Sequence, residues 1–438
     1  MNLPVVTERA LHRACGLAAL FLLAQGGVAW AELPQYDGKV HEGVGSCASS
    51  VCHGSATDRS GTSVLQSEFT TWTRYDKHAG AYAVLLNDES KAIARKLGLP
   101  NAHEADMCLD CHADNVAVEM RGEEFRIEDG VGCEACHGGS EDWIASHTAD
   151  AVTHADNIAN GLYPGSNVGA RAELCLSCHL GTEDKFATHE IMGAGHPRLA
   201  FELSTFEALE PPHWLYDDDY VRRKGAVDDF AVWTGGLISA ARENVSLLTG
   251  PLAHGNGLFP EIALFDCHSC HHPMSDVRWA STTATAGLGP GAIRVNDANF
   301  VILLPIAEGL SPDLHATMLR QIRALNGAVA EGRDALFSAA NDLGGSVDAL
   351  EARLGADLGA GARRSILDQL LARAVRGDYR DYIAAEQAAM AMDLLLISID
   401  AWDVNRPAID AVFATVADDE AYRPARFVAA AQALKRAL

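Results

Sequence analysis

Cys133-Glu134-Ala135-Cys136-His137 constrains this chain more than any other stretch, because it sets two cysteines three apart with a histidine directly after the second. Each thiol can add to one vinyl group of a porphyrin, and the adjacent imidazole then lies under the ring within reach of its iron. The pattern recurs as Cys108-Leu109-Asp110-Cys111-His112, Cys175-Leu176-Ser177-Cys178-His179 and Cys267-His268-Ser269-Cys270-His271. With 11 Cys and 18 His in 438 residues, chance supplies roughly 0.01 such patterns per chain, so four of them encode a cofactor. Cys47-Ala48-Ser49-Ser50-Val51-Cys52-His53 has four residues between its thiols and reads as a fifth site with a looped-out spacer. Together the sites use every cysteine except Cys15, which lies in a segment expected to be removed. Structural zinc and thioredoxin-like disulfides also use such cysteine pairs, but neither needs a histidine after each one. The residues therefore predict five covalently attached haem c groups, with His53, His112, His137, His179 and His271 as proximal iron ligands.

Arg9 and Arg13 precede an apolar stretch from Cys15 to Val28, and Ala29-Trp30-Ala31 offers a small-x-small cleavage site. Residues 1–31 thus read as a signal peptide that sends the mature chain to the periplasm. The run is shorter than the roughly 20 apolar residues of a spanning helix, and no later run is longer, so no membrane span is expected after cleavage. A formal net charge of -25 opposes binding to nucleic acid or anionic lipid and favours ferric over ferrous iron.

The expected fold is mainly α, in two parts. Residues 32–295 carry all five sites at uneven spacing, with short apolar patterns and frequent glycine, which predicts short helices and loops packed around haems. One longer helix is expected from Val227 to Leu248; Gly235 and Gly236 in its middle leave open whether a porphyrin or another helix approaches there. A second helix is read from Glu68 to Leu86. From 296 to 438 cysteine is absent and apolar residues recur every three or four, which predicts a helical bundle. Ser311-Pro312 starts one helix there and Gly344-Gly345 ends it, with others at 346–357, 362–376, 378–402, 407–417 and 424–437. This part could cover haem edges, dimerise or dock a partner.

The face of each iron opposite its motif histidine decides function, since a second imidazole gives an electron carrier and an open position admits substrate. His78, His147, His189, His196 and His213 are the candidate distal ligands. His78 follows Trp72 and Tyr75, and His147 lies behind Trp143. His189 and His196 flank a Met-Gly-Ala-Gly turn, and His213 sits between Pro212 and Trp214. His254 and His272 are reserves, His268 is read as a propionate or solvent contact, and His41, His103, His154 and His315 are read as surface residues. The residues leave open which imidazole serves which iron.

From about Ser46 to Trp279 the chain resembles bacterial multihaem c-type cytochromes related to cytochrome c554. The resemblance rests on several segments in order: the Cys47–Gly54 site, Asp76-Lys77-His78-Ala79-Gly80-Ala81-Tyr82, the Cys108 site and Gly130–Gly138. It continues through Trp143 with His147, His189 with Gly195-His196-Pro197-Arg198-Leu199, Phe201-Glu202-Leu203, Pro212-His213-Trp214 and Cys267–His272. It implies covalent haem, export, redox protein partners and the same distal histidines. The chain departs from pentahaem nitrite reductases, whose catalytic motif ends in lysine, because all five motifs here end in histidine. No counterpart of the tyrosine cross-link of hydroxylamine oxidoreductases is found. The expected function is electron transfer between redox proteins. The alternatives are a multihaem oxidoreductase of a small nitrogen or sulfur compound, and an electron-transfer subunit docked through residues 296–438.

Overall fold

The long helix α7 (Asp229–Thr249) is the element on which both parts of the chain pack. The computed structural model describes residues 32–61, 64–226, 228–254, 260–271, 281–289, 291–354, 358–419 and 421–438, and residues 33–438 form one compact unit. The signal peptide expected over 1–31 and the reserve ligand His272 lie outside the described residues. The fold is mainly helical: among the described residues the only β pairings are two isolated bridges, His41 with Arg121 and Phe265 with Val295.

Before α7 the helices are short. They include Glu68–Tyr75, Asp106–His112, Cys133–His137, Val168–His179, His189–Ala194 and Leu203–Leu209. Three of them end on a motif histidine. Buried apolar side chains in this part form small clusters, one around Tyr82, Leu85, Ala94 and Leu109, another around Ala172, Leu176 and Leu203. The large core starts at Phe230 and Trp233 on α7 and runs without a break to Leu434. Leu303–Leu310, Pro312–Ala328, Arg333–Leu354, Ala360–Arg376, Tyr382–Ser398, Trp402–Phe413 and Pro424–Ala437 enclose it as a bundle.

Three expected helix boundaries are corrected. The helix expected from Glu68 to Leu86 is broken at Asp76, whose backbone turns extended while its side chain accepts from the His78 amide at 2.9 Å. Gly344-Gly345 does not end a helix. Both lie inside Arg333–Leu354, where the missing Cβ of Gly344 lets Val245 of α7 approach, and the turn comes instead at Gly332 with φ +112°. The helix expected at 407–417 starts at Trp402, so Pro407 falls inside it. At that mid-helix position the proline withholds one backbone N–H from the helical hydrogen-bond ladder.

The glycine pair of α7 packs against helices. A Cβ on Gly235 falls 2.7 Å from Val168 Cγ1, and one on Gly236 falls 2.7 Å from Leu203 Cβ. On the other side Arg242 bonds Asp348 at 2.7 Å and Glu351 at 2.6 Å. Replacing Gly236 by valine is expected to cost about 1–3 kcal/mol through overpacking, read as a lower thermal midpoint of the holoprotein at unchanged haem content.

Candidate haem-ligating site

The ten histidines expected to ligate iron meet in five pairs, each joining one motif histidine to one distal candidate. His53 faces His147 with ring centres 6.2 Å apart, and His78 faces His179 at 6.1 Å. His112 faces His196 at 6.3 Å, His137 faces His213 at 6.3 Å, and His189 faces His271 at 6.1 Å. The angles between ring planes are 13°, 82°, 86°, 88° and 32° in the same order. Direct ring contact gives separations that change with tilt; here the separation is nearly constant while the tilt is not. A metal–imidazole bond of about 2.0 Å on each side, plus roughly 1.2 Å from nitrogen to ring centre, puts two ligands of one metal about 6.4 Å apart. The pairs therefore have the spacing at which two imidazoles reach one metal atom from opposite sides.

The other ring nitrogen is occupied in several pairs, which selects the nitrogen left to ligate. Nδ1–H of His53 donates to Glu68 at 3.0 Å, and Nδ1 of His78 lies 3.0 Å from Asp76. His112 donates to the Ala81 carbonyl at 3.0 Å, His147 to Ile144 at 2.6 Å and His196 to Pro197 at 2.7 Å. Glu68 and Asp76 raise the pKa values of His53 and His78, whereas burial lowers that of His179 to about 4 and keeps it neutral. Aromatic side chains brace the rings: Trp143 lies 5.5 Å from His147, Phe201 5.1 Å from His179 and Trp214 5.0 Å from His213.

All ten motif cysteines are free thiols, as addition to a vinyl group requires. The Cys47 thiol lies within interaction range of Cys133, and the Cys111 thiol within that of Cys178. The Cys47/Cys52 and Cys133/Cys136 sites are thus neighbours, and so are the Cys108/Cys111 and Cys175/Cys178 sites. Cys136 lies within electrostatic range of Cys175 and Cys178, which links the two couples. The Cys267/Cys270 site joins through the helix His189–Ala194, which presents His189 to His271 and is followed by His196, the partner of His112. Among the described residues no group of three or more His, Cys, Asp or Glu side chains converges as a metal site.

Several contributors escaped the sequence reading. Glu134, inside a motif, is buried and accepts from the amides of Glu42, Gly43 and Ser140 at 2.8, 2.7 and 2.9 Å, which pins the Cys47 loop onto the Cys133 helix. Gly43 makes this possible, with φ +92° and a Cβ position only 2.3 Å from the Glu124 carbonyl oxygen. Asp76 carried a readable signal, an acidic residue two before a histidine, and Glu68 carried none. His41 is not a surface residue: it is fully buried, 2.8 Å from Asp114.

Paired thiols followed by a histidine, with a second imidazole opposite, are the features by which c-type cytochromes hold haem for electron transfer. Within that class, residues 46–138 match the family of cytochrome c554 and c-prime, a stretch that contains the first three of the five sites. Comparisons with curated proteins and with solved structures gave no match. No helix of the described residues is long and apolar enough to cross a membrane.

Proposed function

We propose that the protein is a periplasmic pentahaem c-type cytochrome that passes electrons between redox protein partners and holds each iron between two histidines. The observation that carries the reading is the five ring pairs at 6.1–6.3 Å. The residues fit the group: Cys47, Cys52, Cys108, Cys111, Cys133, Cys136, Cys175, Cys178, Cys267 and Cys270 would attach it, and the ten paired histidines would ligate its iron. Bound haem supplies a one-electron couple. The chain supplies attachment, a second imidazole that closes each iron to substrate, and a continuous series of neighbouring sites. Closure of all five favours a carrier over an oxidoreductase of a small nitrogen or sulfur compound.

Two measurements test this. The mass of the exported polypeptide is expected to exceed that of the bare chain by five haems. Electron paramagnetic resonance of the oxidised protein is expected to show low-spin iron alone, with three centres of crossed ring planes and two of near-parallel ones. A stoichiometric high-spin signal that binds cyanide would make one haem a substrate site and sink the carrier reading.

Asp76 adds a site-specific prediction. A carboxylate that accepts the Nδ1–H makes an imidazole more basic and favours the oxidised metal. Asp76→Asn is therefore expected to raise one of five potentials, on the order of tenfold in that equilibrium or about 59 mV, in a spectroelectrochemical titration that leaves the other four in place.

A further inference from the structure

The two couples of neighbouring sites are built around buried charges of opposite sign. Where Cys111 meets Cys178, the Lys185 side chain is 6 % exposed. Its ammonium lies 3.4 Å from Cys178 Sγ and 3.5 Å from the Asp110 carbonyl oxygen, and it donates to the side-chain carbonyl of Gln35. The Gln35 and Asp110 oxygens carry no formal charge, and the Cys178 sulfur carries none once it is bonded to haem. Among the described residues no carboxylate stands within salt-bridge distance of Lys185; the Asp110 carboxylate acts on it only at longer range and is held by Asn115 at 2.7 Å. Asp184, the adjacent residue, is exposed. Burying an ammonium without a paired carboxylate is costly. In a chain with 59 acidic residues against 34 basic ones, acidic partners are plentiful, yet this position has none in contact.

Where Cys47 meets Cys133 the arrangement is reversed. The Glu134 carboxylate is 2 % exposed and acts electrostatically on both thiols. Its hydrogen-bond partners are backbone amides, which offset its charge in part but carry none themselves, and the His41 imidazolium within its electrostatic reach is balanced by Asp114 and Asp37. One junction therefore holds a fixed positive charge and the other a fixed negative charge, inside a medium that screens weakly.

The geometry points to a built-in potential difference: Lys185 raises the reduction potentials of the irons held by His112 and His179, and Glu134 lowers those held by His53 and His137. Electrons entering at the Cys47/Cys133 couple run downhill to the Cys111/Cys178 couple, which makes Lys185 and Glu134 positioning residues for the direction of transfer. The inference rests on the pentahaem reading above, and the measurement separates the two. Haem stoichiometry of the wild-type holoprotein checks that reading, and a count short of haem at these four sites overturns it whatever the charges do.

With five haems in place, Lys185→Met is expected to move two of the five one-electron waves down, roughly tenfold in each equilibrium or about 59 mV. Lys185→Arg is expected to restore them. Glu134→Gln is expected to move two different waves up, so the inference remains testable if the lysine variant does not accumulate. Waves that stay in place or move in the opposite direction, at unchanged haem content and low-spin spectra, overturn it.

Discussion

Replacing His213 by alanine is expected to leave covalent haem content unchanged and to convert one iron in five from low-spin to high-spin, with new binding of cyanide. The His213 ring lies 6.3 Å from His137 and is braced by Trp214. The four other distal candidates each face a different motif histidine, so none is free to replace it. Attachment depends on the Cys133 and Cys136 thiols, which the change leaves untouched. Optical and paramagnetic resonance spectra of the variant check the result. An unaltered low-spin spectrum would remove His213 from the ligand set.

Replacing Asp114 by leucine is expected to cost about 3–5 kcal/mol, because it leaves the His41 imidazolium buried without its partner. His41 is fully buried, with Nδ1 2.8 Å from Asp114 and Nε2 3.3 Å from the Pro34 carbonyl oxygen. Burial opposes its charge, but the hydrogen bond to Asp114 and the Asp37 carboxylate 3.9 Å from Nε2 prevail and push its pKa up to about 10 from an ordinary 6.5. A pKa raised on folding stabilises the native state fully below the unfolded value and loses that contribution as pH rises through the folded value. The native chain is therefore expected to lose stability between about pH 6.5 and pH 10, and the gap between native and variant should shrink over the same range. Denaturant titrations of both holoproteins at pH 6 and near pH 10 read the difference.

Much of the candidate site was legible because covalent attachment demands contiguous residues. A motif in which spacing is the chemistry can be read from one line of sequence, and the distal candidates were marked by neighbouring Trp, Pro and Gly. Their partners were not legible. His78 faces His179 across the two intervening motifs at Cys108 and Cys133, and His147 faces His53 across the same two, a choice made by tertiary packing alone. His41 was misread for the same reason: its partners are Pro34, Asp37 and Asp114, of which the most distant has no local signature. The helix boundaries that failed did so where a side chain or a neighbouring helix overrode local propensity. Asp76 stopped a helix by binding the amide two residues on, and Gly344 continued one because Val245 packs against it.

The crossed pairing also dictates an order of assembly. A chain threaded out from its beginning has no completed ring pair until residue 147 has emerged, and His78 must wait for His179. His112 and His137 wait longer still, for His196 and His213. On the proposed reading, haem attached at an early motif as it emerges would wait on an open strand with one of its two imidazoles. Closure then proceeds in steps, as residues 147, 179, 196, 213 and 271 arrive in turn.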